Sequence, residues 1–175
     1  MKTYATIAAV ALLSACASPM MMTVDNTALP EPVRVPAGQK MMMVATGVGD
    51  ITYECREKAA AAGQYEWAFV APVATLYSAD KRNVGKYYAG PAWEASDGSK
   101  VTGKQLAVSP AAPGNIPMQL VKTDPAMGSG AMTGVTYIQR LNTKGGVAPG
   151  AACDAASKGR RQQVAYEADY AFYGA

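Results

Sequence analysis

The clearest pattern lies at the end of the chain. Val164, Tyr166, Ala168, Tyr170 and Phe172 recur at every second position, with Ala165, Glu167, Asp169 and Ala171 between them. A period of two marks a strand with one face on a core, and three aromatics give that face its bulk. The other face reads as solvated. Ile51, Tyr53 and Cys55 repeat the pattern within Asp50 to Cys55. Shorter strands are expected at Met41 to Ala45, Tyr65 to Val70, Val73 to Tyr77, Val84 to Tyr88, Ala92 to Ala95, Lys100 to Val108, Ile116 to Lys122 and Thr133 to Leu141. Gly47 is expected to end its strand, and Pro72 to break or edge its own. Asp97-Gly98 sits between two apolar runs and predicts a hairpin of the I′ type. Only Arg56 to Ala62 has helical composition, enough for one or two turns. Many short strands, Gly/Pro turns and very little helix predict an all-β domain, an antiparallel sandwich or closed barrel of roughly 8–10 strands.

The pattern is different before residue 40. Lys2 precedes Ala5 to Leu13, apolar but for Thr6. That run is shorter than the roughly 20 residues a membrane-spanning helix needs. It fits the apolar region of a secretory signal. It closes on Leu13-Ser14-Ala15-Cys16, which resembles the bacterial lipobox. The resemblance implies that the Cys16 thiol takes a diacylglyceryl group, that cleavage falls just before it, and that the new amino terminus is acylated too. Each buried methylene contributes about 0.8 kcal/mol, so two or three chains would hold the protein stably on a membrane. The alternative is an ordinary signal peptide, cut after Ala15 or Ala17. Ala17 stands where Asp would suggest inner-membrane retention. The expected address is therefore the outer membrane, facing the periplasm, with a secreted or surface-exposed protein as the alternative. Residues 16–39 hold Pro30, Pro32 and Pro36 and no sustained period, which reads as an extended linker. The expected division is a signal peptide at 1–15, a lipidated Cys and linker at 16–39, and one β-rich domain at 40–175.

Composition narrows the chemistry. The 175 residues suit one domain, with 17% charged residues and a formal net charge of +3. Nothing in that balance suggests a nucleic-acid partner. His is absent, which removes every Ser-His, Cys-His and His-ligated metal mechanism. With Cys16 lipidated, Cys55 and Cys153 form an even pair in an oxidising compartment, the usual setting for a disulfide. A redox-active pair is the alternative, without a Cys-x-x-Cys to support it.

A further set of residues carries a family resemblance. They are Tyr53-Glu54-Cys55, Trp67, Ala74-Thr75-Leu76-Tyr77, Val84-Gly85, Gly90-Pro91-Ala92-Trp93, Asp97-Gly98-Ser99, Thr136 to Thr143 with Gly145-Gly146, and Cys153. In this order they resemble the secreted bacterial and fungal family called domain of unknown function 3455, over about residues 33 to 173. The resemblance implies a secreted β-rich domain with a Cys pair matching Cys55 and Cys153, and brings no established activity. Many members carry a His shortly before the Gly-Pro-x-Trp stretch. Here that neighbourhood is Lys86-Tyr87-Tyr88, which suits binding better than acid–base catalysis.

The candidate ligand-binding residues are Tyr87, Tyr88, Trp93, Asp97 and Arg140. Aromatic faces stack on sugar rings or apolar ligands, and a few polar groups fix orientation. The competing reading buries Trp93 and one Tyr in the core and gives Asp97 to the turn. Arg140, opposite Tyr137 on a regular strand, could hold an anion, form an ion pair or stay solvated. Glycoside hydrolysis needs two carboxylates, for which Glu94 with Asp97, or Glu167 with Asp169, are nominal candidates. Met20–Met22 and Met41–Met43 raise Cu(I), which thioethers select. Consecutive strand residues alternate sides, so core packing is the plainer reading, and neither cofactor nor metal is expected. The expected function is a lipid-anchored envelope domain that binds a small molecule, a glycan or an envelope protein without chemistry. The alternatives are a carboxylate-based hydrolase of envelope glycans and a structural or stress-linked envelope protein. Replacing Cys16 by Ser is expected to move the protein out of the membrane fraction of its cells. An unchanged membrane fraction would remove the lipid from this account.

Overall fold

Eight antiparallel strands close into one barrel, each bonded to its neighbours in chain order, with the last returning to the first. They are β1 (Lys40–Glu57), β2 (Tyr65–Tyr77), β3 (Asn83–Tyr88), β4 (Ala92–Ala95), β5 (Lys100–Ser109), β6 (Met118–Thr123), β7 (Val135–Gly145) and β8 (Arg161–Gly174). This computed structural model describes residues 23–175. The expected signal peptide, Cys16 and Met20–Met22 lie outside the described residues. Of the two architectures left open by the strand pattern, the chain adopts the barrel. No α-helix occurs among the described residues. Arg56 and Glu57 finish β1 and a turn follows, so the helical composition there is overridden.

The main difference from the strand pattern is strand length. Two expected strands fuse into the 18 residues of β1, running straight through Gly47 and Gly49. These glycines make room rather than end a strand. A Cβ on Gly47 would stand 2.6 Å from the Tyr170 ring, and one on Gly49 would stand 2.0 Å from the Val73 carbonyl oxygen. β2 likewise runs through Pro72. A bulge lies beside it at Thr52/Tyr53, and pairing to β3 begins only at Val73. Proline is tolerated at such a break in the ladder. The Asp97-Gly98 hairpin forms, but only Gly98 has positive φ. Gly98 N–H bonds the Ala95 carbonyl, so the turn is type I followed by a left-handed glycine rather than I′.

β8 keeps its period. Tyr166, Ala168, Tyr170 and Phe172 are buried in the barrel interior with Leu76, Trp93, Val101, Val121 and Ile138. The outer face is not solvated throughout. Ala171 and Tyr173 are buried beneath residues 24–35, together with Val33, Val35 and Leu120. The described part of the expected linker is thus docked on the barrel. Gln139 fixes it: fully buried, its Nε2 donates to Val33 O at 2.6 Å and to Asn26 Oδ1 at 3.0 Å, while its Oε1 accepts from the Tyr173 hydroxyl. Asn26 in turn exchanges two bonds with the Val35 backbone.

Cys55, near the end of β1, is disulfide-bonded to Cys153 across a sequence separation of 98. A loop of about 100 residues can contribute up to about 4.7 kcal/mol through the unfolded chain. Trp67 Nε1 donates to the Ala151 carbonyl at 2.8 Å and holds the same segment to β2.

Gly49→Ala is expected to destabilise the barrel by about 1–3 kcal/mol, because its obstacle is backbone and cannot swing aside. Gly150→Ala, with nothing within 4 Å of its Cβ, is expected to be near neutral. Urea melts of the two variants give the comparison, and equal midpoints would refute the close-approach role of Gly49.

Candidate functional site

The barrel's bore is filled in the middle and open at one end. Ile51 and Tyr53 of β1, Phe69 and Pro72 of β2, Tyr87 of β3, Arg140 of β7 and Tyr166 of β8 line a cavity of about 500 Å³. Its rim comes from Ala89-Gly90-Pro91 in the β3–β4 turn and Ile116-Pro117 before β6, with Gln105 and Gln119 at the side. At the opposite end Met132, from the β6–β7 loop, is buried in the core cluster.

Strand parity puts Arg140 inside. It follows Ile138 by two residues on β7, with regular pairing from Ile138↔Phe172 to Arg140↔Tyr170. Its Nε and Nη2 both donate to the Pro117 carbonyl, at 3.2 and 2.9 Å. It belongs to no ion pair among the described residues, and it is the one charged side chain in the cavity lining.

The phenols around it are largely committed. Tyr53 donates its hydroxyl to Gly146 O at 2.6 Å, and the Tyr166 and Tyr170 hydroxyls lie 3.3 Å apart. Gly146 is packed under Tyr166, Ile116 and Ile51 with φ +78, a conformation and closeness that suit glycine. Beneath the cavity, Tyr87 stacks on Trp93 with centroids 4.9 Å apart and on Tyr170 at 5.1 Å. Trp93 is fully buried, and its Nε1 has no hydrogen-bond partner among the described residues. Burial pushes the hydroxyls of Tyr53, Tyr87, Tyr166 and Tyr170 above the ordinary phenol value. The Arg140 charge pulls all four the other way.

Of the five candidate residues, Tyr87 and Arg140 line the cavity and Trp93 lies one layer below. Tyr88 and Asp97 are elsewhere. Tyr88 donates its hydroxyl to Glu94 Oε2 at 2.7 Å, and the carboxylate holds that phenol proton more firmly than usual. Asp97 accepts from Ser99 Oγ, Ser99 N and Ala131 N at 2.6, 2.9 and 2.7 Å, which lowers its pKa and ties the hairpin to the β6–β7 loop. The nominal carboxylate pairs have structural partners. Glu94 is bonded to Lys86 as well as Tyr88, Glu167 to Lys144, and Asp169 to Thr46 and Asn142. Met41 packs in the cluster under residues 24–35, Met42 is exposed, and Met43 packs on the barrel core. The Met41–Met43 thioethers therefore do not converge.

Ile51, Tyr53, Phe69 and Tyr166 were not among the sequence candidates. The signal was present in part, since Tyr53 shares a face with Ile51, and Tyr166 with Tyr170. Closure of the barrel is what brings those faces together.

The fold and this mouth define a small closed antiparallel barrel with an aromatic plug and an open, mostly apolar end. The family described as "Protein of unknown function (DUF3455)" matches residues 36–174, most of the chain, and the protein belongs to that family. No curated protein and no solved structure matches it.

The raised phenol values have a pH consequence. A folded-state pKa above the unfolded value of about 10 contributes stability that is complete below pH 10 and is lost as pH rises through the folded values. Stability is therefore expected to fall above about pH 10, with Tyr87, Tyr166 and Tyr170 ionising only on unfolding. Urea melts with phenolate absorbance at each pH test this. Full ionisation of every tyrosine in the folded protein near pH 10 would contradict the burial described.

Proposed function

We propose that this protein is a lipid-anchored envelope module that holds a small ligand in its barrel mouth without transforming it. The cavity carries this reading. Eight-stranded barrels have an interior just wide enough to be filled by side chains or to hold one small ligand. Here the aromatic layer fills only part of the bore. The remaining volume of about 500 Å³ lies in the range of small-molecule sites, which are largely apolar with few polar groups. Arg140 and the two Gln amides are those few. Among the described residues no carboxylate lines the cavity, and Glu94, Asp97, Glu167 and Asp169 are each engaged elsewhere. That supports binding over glycan hydrolysis. The Cys16 anchor rests on the lipobox-like tetrapeptide, and the outer-membrane address on Ala17 after it.

The test is a thermal melt of the purified full chain in lipid nanodiscs, screened against small metabolites, lipids and glycans. A ligand at 100 times its dissociation constant adds about 2.7 kcal/mol, a visible shift. Ala89→Trp, at the exposed rim, is expected to abolish the shift and leave the unliganded melt unchanged. No hit across a broad library, or hits indifferent to Ala89→Trp, would set the mouth aside and turn the search to protein partners.

A further inference from the structure

We infer that the ligand is a small monocarboxylic acid with a flat apolar body, its carboxylate on the Arg140 guanidinium and its body against Phe69 and Tyr87. This rests on the reading of the mouth as a ligand site. The first argument is the unspent part of Arg140. A guanidinium has five N–H donors in a planar fork. Here only Nε and Nη2 are used, both on the neutral Pro117 carbonyl. Among the described residues the Nη1 side of the fork has no protein acceptor, and a carboxylate matches such an edge bidentately.

The second argument is the charge count. Arg140 is the single charge in the lining, so one negative charge balances it. A dianionic phosphate or a dicarboxylate would bring a second charge into a partly desolvated wall with nothing to pair it, which is costly. The third argument is the distribution of polar groups. The Tyr53 hydroxyl is spent on Gly146, and the Tyr166 hydroxyl lies against that of Tyr170. Ile51, Phe69, Pro72 and Ile116 supply apolar wall. One end of the site is polar and cationic, and the rest favours a body without hydrogen-bonding needs.

The probes are 2-naphthoate and its neutral isostere 2-naphthamide, titrated into the full chain in zwitterionic nanodiscs by calorimetry. The acid is expected to bind about tenfold or more tightly than the amide, the usual worth of a charge-assisted bond. Arg140→Met, which keeps most of the side-chain length, is expected to erase that preference, so that acid and amide bind alike. Arg140→Lys should recover part of it. Equal binding of acid and amide, or an acid preference that survives Arg140→Met, overturns the carboxylate assignment. Neither probe binding at millimolar concentration overturns it as well. In each of those cases the library melt, with Ala89→Trp as its control, decides separately whether the mouth binds ligands of another kind.

Discussion

The Tyr170 ring lies against the bare backbone of Gly47, and the interior of the barrel is arranged around that fit. An eight-stranded bore admits only so much side chain. Tyr170, Tyr87 and Trp93 occupy its middle with centroids 4.9 to 5.9 Å apart. Three large rings can share one layer only where the facing strand gives up its side chains. Gly47 does so on β1 without interrupting it. The plug then divides the bore. One side holds Ile138, with Phe172 and Met132 around a smaller hollow of about 220 Å³, and the other is the mouth.

This explains which parts of the fold could be read along the chain. β8 was legible because its alternation is uninterrupted and its inward positions stay buried to the end. The Asp97-Gly98 hairpin was legible because turn chemistry is local. The length of β1 was not. Glycine within an apolar run has the same local signature whether it ends a strand or clears space for a ring that arrives 123 positions later. Pro72 was ambiguous for a similar reason, since only the neighbouring bulge shows why the ladder tolerates it. Sandwich and barrel differ in whether β1 meets β8, a pairing between the two ends of the domain that no short window contains.

The site was legible in half. Tyr87 and Arg140 stand out as residue types, and it is the pairing in the closed barrel that puts both inside. Trp93, a candidate either for stacking on a ligand or for burial in the core, is buried and supports the cavity from below. Asp97, whose pairing with Gly98 reads first as turn chemistry, is turn. Tyr53 and Phe69 face each other across the β1–β2 ladder, and Tyr166 joins them only when β8 closes on β1. The site is thus a property of closure more than of a motif. Arg140 shows this best: on an open sheet it would be one more basic residue, and inside a ring of strands it becomes the single charge of an otherwise uncharged wall.

The docking of residues 24–35 bears on distance. On the anchored reading, a free spacer from Cys16 to Lys40 could place the barrel some 80 Å from the lipid at about 3.3–3.6 Å per residue. With Val24 already seated among Val33, Leu120 and Tyr173, only the residues between 16 and 24 remain to span the gap. That shortens the longest possible leash to about 30 Å. Gln139, deep in the barrel wall, thereby acts on the working radius of the whole molecule. The barrel would meet whatever it binds close to the membrane surface, and lengthening the chain elsewhere in that segment would not free it.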